Sequence, residues 1–100
     1  MSLDDITKNI QQKMAMAAGL QAKVKFDFGD DGLVFVDTTQ NPPLISHDDG
    51  DADTVLACSI DTFQKLMNGT QDPNIAFMTG KLKIKGNMGL AMKLNSILED

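Results

Sequence analysis

His47 is the chain's only histidine and stands between Ser46 and Asp48, and Cys58 is its only cysteine. A hydroxyl, an imidazole and a carboxylate are the ingredients of acyl transfer. Neighbours in an extended segment, however, point to opposite faces, so these three cannot form a relay. The run Asp48-Asp49-Gly50-Asp51-Ala52-Asp53 suggests a second chemistry, because Asp49, Asp51 and Asp53 match the first three ligand positions of an EF-hand calcium loop. Thr54 then stands where that loop needs Gly, and Ile60 where it needs a bidentate Glu. A solvated acidic turn is the expectation, and no metal site is assigned. Gly86-Asn87-Met88-Gly89, preceded by Lys85, could cradle a phosphate at a helix start. No Gly-Lys-Ser/Thr follows, and the motif joins a strand to a helix where a KH domain has two helices, so these glycines are read as turn and packing positions. The chain holds no zinc-type Cys/His cluster and no pair of acids in an apolar setting. The sequence therefore predicts no catalytic residues, no enzyme activity and no cofactor.

The elements that would position these residues follow from changes of period. Ser2 and Asp5 resemble a capping box, and Leu3, Ile6, Ile10, Met14 and Ala17 share one helical face that Gly19 ends. From Lys23 the period becomes two, with Val24, Phe26 and Phe28 alternating with Lys23, Lys25 and Asp27. Asp30-Asp31-Gly32 predicts a tight turn, and Leu33 to Val36 a second strand apolar on both faces, interior to the sheet. Asn41-Pro42-Pro43 breaks the pattern. Leu44 to His47 and Thr54 to Cys58 make a third and a fourth strand, read as a continuing antiparallel meander in which Cys58 is a reduced, buried packing residue. Ser59 caps a helix carrying Ile60, Phe63, Leu66 and Met67, stopped at Asn68-Gly69. Asp72-Pro73 starts another, running through Ile75, Phe77 and Met78 to Gly80. Leu82 and Ile84 then alternate with Lys81, Lys83 and Lys85, and Met88 to Leu98 closes the chain as an apolar-striped helix. The last strand is expected to join the sheet away from the fourth, with parallel pairing open to it.

One hundred residues, 42% hydrophobic and 23% charged, make a single domain over 1–100 of ordinary globular composition. The net charge of -5 and the absence of Trp, Tyr and Arg argue against a nucleic-acid partner. Asp4 and Asp5 stand where a signal peptide would be basic, and no apolar run is long enough to span a bilayer, so a cytoplasmic location is expected. Acids crowd Asp27 to Asp53, while Lys81, Lys83, Lys85 and Lys93 gather near the C-terminus. That asymmetry allows transient contact with an anionic membrane surface or an acyl-CoA phosphate. Seven methionines, among them Met67, Met78, Met88 and Met92 in the later helices, fit either an adaptable ligand pocket or a plain core, and spacing does not separate the two.

The stretch Ile75-Ala76-Phe77-Met78-Thr79-Gly80-Lys81-Leu82-Lys83-Ile84-Lys85-Gly86-Asn87-Met88-Gly89-Leu90-Ala91-Met92-Lys93-Leu94 resembles the C-terminal signature of the sterol carrier protein 2 family. More loosely, the likeness extends over the Phe-rich first strand, the Asp-Gly hairpin, the acidic turn and the helix from Ile60 to Met67. It implies an α+β fold, a five-stranded mainly antiparallel sheet with helices covering one face around an apolar tunnel. It also implies non-catalytic carriage of fatty acid, acyl-CoA, phospholipid or sterol-like lipid. On this basis Phe35, Phe63, Met67, Ile75, Phe77, Met78, Leu82, Ile84, Met88, Leu90 and Met92 are expected to supply the ligand wall. Family members sent to peroxisomes end in a Ser/Ala-Lys-Leu type signal, whereas this chain ends Leu98-Glu99-Asp100, which favours a small free-standing cytoplasmic member and a linear acyl ligand. The alternative is an accessory or interaction module that docks a partner enzyme and presents it with a quinone or isoprenoid substrate.

Overall fold

The hydroxyl of Ser2 accepts the Asp5 N–H at 3.2 Å, and the Asp5 carboxylate accepts in return from the Ser2 N–H and hydroxyl. This reciprocal pair satisfies donors that a helix start leaves open and sets where α1 (Leu3–Met14) begins. The computed structural model describes residues 2–15, 20–40 and 42–98. Ala17 and Gly19, expected on and after the first helix, and Asn41 lie outside the described residues. Ile6, Ile10 and Met14 form the fully buried stripe of α1.

β1 (Lys23–Asp27) and β2 (Leu33–Asp37) pair antiparallel, with Val24 opposite Val36 and Phe26 opposite Val34. A 3-10 turn at Gly29–Asp31 joins them, and Gly32 follows at φ 108. β3 (Leu44–Ser46) adds antiparallel to β2, and there the meander stops. β4 (Thr54–Ala57) crosses to the far side of β1 and lies parallel to it, Leu56 beside Phe26. β5 (Lys83–Gly86) pairs antiparallel with β4 at the edge, giving the order β3-β2-β1-β4-β5. The expected four-strand meander is thus corrected, and the parallel pairing falls at β4 rather than β5. Alternation determines which side chains face the core, but it carries no information about which strand lies alongside.

Three helices complete the chain. Ser59 caps α2 (Ile60–Met67) by accepting the Thr62 N–H, and Gly69 ends it at φ 79. The Asp72 carboxylate accepts from the Asn74 and Ile75 N–H groups to start α3 (Pro73–Met78). The Asn87 side chain accepts the Leu90 N–H at 2.9 Å in the first turn of α4 (Met88–Leu98). Val24, Phe26, Val34, Val36 and Leu56 meet the helices in one core, in which the Phe63 ring stands edge-on to Phe28 at 5.2 Å and to Phe26 at 5.6 Å.

The acidic segment runs over the other side of the sheet. Gly50 lies against the Phe35 ring, Lys25 pairs with Asp49, and the Asp53 carboxylate accepts the Lys23 N–H at 2.9 Å. Among the described residues no three His, Cys, Asp or Glu side chains gather to hold a metal ion.

Gly86 (φ 91) packs so closely on the Asp53 carbonyl that any Cβ would overlap it, whereas Gly80 (φ 80) faces open space. Gly86→Ala should therefore cost more than about 2 kcal/mol and Gly80→Ala about 1 kcal/mol, read as two clearly different losses in Tm. Equal losses would place the strain in φ alone. The Ser2 hydroxyl and the Thr39 hydroxyl hold the Asp5 and Asp37 carboxyls, respectively, below their ordinary value of 3.8. Both groups release their protons more readily in the folded chain, so the stability they add is complete above that value and drains away as the pH falls below it. Asp37→Asn should flatten the acid limb of a Tm-against-pH curve.

Candidate functional site

Side chains along β5 alternate, so Ile84, like Leu82 just before the strand, turns toward the helices while Lys81, Lys83 and Lys85 stay exposed. Ala91, Met92, Asn95 and Leu98 are spaced to share the α4 face that lies opposite. Phe63, Leu66 and Met67 enter from α2, Leu56 from β4, Cys58 from just beyond it, and Pro73 from the first turn of α3. Together they enclose an apolar cavity of about 20 Å³. That is room for one water-sized sphere. The wall is nevertheless deformable, because Met67 and Met92 each have three rotatable side-chain bonds and adapt to irregular shapes.

The structure brings together Phe63, Met67, Leu82, Ile84 and Met92 from the expected wall. Leu90 is half-buried against the core, outside the cavity lining. Phe35 lies on the opposite face of the sheet, beneath Gly50. Ile75, Phe77, Met78 and Met88 are exposed, which reverses the expectation for α3. Four of the six α3 residues are apolar, so periodicity cannot tell which side turns in. The end of the helix decides it. The Lys81 and Leu82 N–H groups both bond the Ala76 carbonyl and the Gly80 N–H bonds that of Phe77, a Schellman closure that folds the chain back with Ala76 innermost.

Leu56, Leu66 and Leu98 also line the cavity, and inward periodicity could have found them. Ala91 shares the apolar stripe of α4 with Leu98, whereas Pro73 carries no such signal. Asn95 is a half-buried amide on the wall with no side-chain hydrogen bond among the described residues. Cys58 separates the cavity from an open groove of about 300 Å³ bordered by Asp27, Phe28, Ser59, Gly80, Lys81 and Lys83. Burial pushes its thiol up to about 12.

Helices over one face of a β3-β2-β1-β4-β5 sheet, with an apolar cavity beneath the last helix, form the setting for the comparisons with known proteins. Residues 3–99 match the model of the SCP-2 sterol transfer family. The chain belongs to that family. It is 40% identical over 82 residues to Hydroxysteroid dehydrogenase-like protein 2 of Bos taurus, an alignment covering 78% of this chain and 20% of that protein. The Homo sapiens protein of the same name is 51% identical over 47 residues, covering 47% of this chain and 11% of that one. The chain thus spans only 20% or less of the length of these curated relatives. Among solved structures, Sterol Carrier Protein 2 of Yarrowia lipolytica (apo form) superposes with a TM-score of 0.67 at 30% identity, covering 94% of this chain and 77% of that one. The sterol carrier protein domain 2 of Helicoverpa armigera superposes at 0.74 with 24% identity, over 94% of this chain and 83% of that one, a likeness of fold.

A thiol at about 12 leaves on the order of one in ten thousand ionised at pH 8. Alkylation of Cys58 by iodoacetamide should be at least a hundredfold slower in the native protein than in urea and should keep rising with pH beyond 10. A native rate equal to the unfolded one would show that the thiol is open.

Proposed function

We propose that this domain binds and carries hydrophobic lipid ligands between its sheet and the helices α2 and α4, without catalysis of its own. Fatty acid, fatty acyl-CoA, phospholipid and sterol-like molecules are the candidate cargo, with a linear acyl chain favoured. The observation that carries this reading is the cavity, whose wall is almost wholly apolar and includes two adaptable methionines. Membership of the SCP-2 sterol transfer family supports it. Burying a dozen methylenes yields on the order of 10 kcal/mol gross. Association, chain ordering and the widening of the cavity offset much of this, which leaves affinities in the micromolar range.

Among the described residues no helix is long and apolar enough to cross a membrane. Cytoplasmic carriage, with transient contact to an anionic membrane surface through Lys81, Lys83, Lys85 and Lys93, completes the proposal. A second reading is an accessory module that presents an apolar substrate to an enzyme. It is favoured by relatives in which the matching region is a small part of a protein named as dehydrogenase-like.

Native mass spectrometry with added palmitate tests the first reading. Wild-type protein should take up one acyl chain. Met92→Asp places an unpaired carboxylate on the wall and should weaken uptake more than about tenfold. Met88→Asp, on an exposed position, should stay within about twofold of wild type. Folded wild-type protein that takes up no lipid would sink the carrier reading and leave the accessory one.

A further inference from the structure

α3 is built inside out. Its smallest apolar residue, Ala76, is fully buried, while its three largest, Ile75, Phe77 and Met78, are 56%, 42% and 82% exposed. Such a concentration of large apolar surface on one short helix marks a contact site. The amphipathic helices α1 and α2 offer nothing comparable, since Ile6, Ile10 and Met14 of the one and Phe63, Leu66 and Met67 of the other are committed to the core.

Charge identifies what α3 meets. From Pro73 to Leu98 the sequence carries four lysines and no acid, in a chain whose net charge is -5. Lys81 and Lys83 directly follow α3, are exposed, and pair with no carboxylate among the described residues. Asp27, which borders the same groove, accepts the Gly29 N–H, and Asp72 at the far end of α3 accepts the Asn74 and Ile75 N–H groups. Lysine is suited to this place, because its long stem can lie along apolar surface while the ammonium reaches a lipid phosphate.

We propose that Ile75, Phe77 and Met78 insert into the surface of an anionic lipid bilayer, with Lys81 and Lys83 on the headgroups. This rests on the lipid-carrier reading and extends it. Pro73, in the first turn of α3, is part of the cavity wall, so docking through α3 brings the edge of the cavity to the lipid.

Flotation with vesicles of phosphatidylcholine alone, and of an equal mixture with phosphatidylglycerol, tests the proposal. Wild type should float with the mixed vesicles and stay behind with the neutral ones. The double variant Phe77→Ser/Met78→Ser changes only exposed side chains and should lose at least about tenfold in binding. Lys81→Glu/Lys83→Glu should lose about thirtyfold or more, since each lysine near an anionic surface contributes a factor of about five. Met88→Ser, at an exposed methionine just past the other end of β5, where the Asn87 N–H bonds the Asp53 carbonyl, should bind as wild type does. Palmitate uptake from solution, measured on the same variants, should be unchanged, which separates docking from carriage. Wild type that ignores both kinds of vesicle, equal binding to neutral and anionic ones, or full binding by the α3 double variant would each overturn the proposal, whatever the uptake shows.

Discussion

Two parallel strands cannot be joined by a hairpin, and the parallel pairing of β1 with β4 dictates the path of everything after β3. To reach the far side of β1, the chain must leave the edge at β3 and cross the outer face of the sheet. The acidic segment makes that crossing. Lys25 holds Asp49, the Lys23 N–H holds Asp53, and the Phe35 ring supports Gly50. β5 then pairs along the free edge of β4, and α2 and α4 close over that half of the sheet. All residues lining the cavity accordingly come from position 56 onward. The earlier half, α1 with β1 and β2, contributes Ile6, Ile10, Met14, Val24, Phe26, Val34 and Val36 to the buried core.

The same path separates the charges. A crossing rich in Asp lies over the outer face, and Gly86 and Asn87 meet its last residue at one end of β5. Lys81 and Lys83 stand at the other end, beside the groove and the exposed side of α3. A molecule that is acidic as a whole therefore presents one cationic, apolar corner next to its cavity.

Much of this was legible in the residues. The capping box at Ser2, the switch to period two at Lys23, the Ser59 and Asp72 caps and the glycine stops at Gly69 and Gly80 each specify a local event, and the structure contains each of them. Partner choice was not legible, because a strand pattern like that of Thr54 to Ala57 looks the same beside β1 as beside β3. Nor was the orientation of α3, whose inward side depends on a hydrogen-bonded closure and not on its apolar pattern. The cavity wall was half legible. Phe63, Met67, Leu82, Ile84 and Met92 follow from inward periodicity and size, whereas Pro73, at the start of a helix, lies on no periodic apolar face and was not legible as part of the wall.

Leu, Ile, Phe and Met walls with a single amide, Asn95, and a single thiol, Cys58, set a ceiling on discrimination. One methylene more or less in such a site changes binding by only about 1–3 kcal/mol, and an apolar pocket rejects a chemically different group of similar shape weakly. Strong rejection needs several buried polar groups that the wrong molecule leaves unpaired, and this wall does not have them. If the cavity takes lipid as proposed, it would sort its contents by girth and length, and chemical identity would be decided by which lipids the protein encounters, not by the wall that receives them.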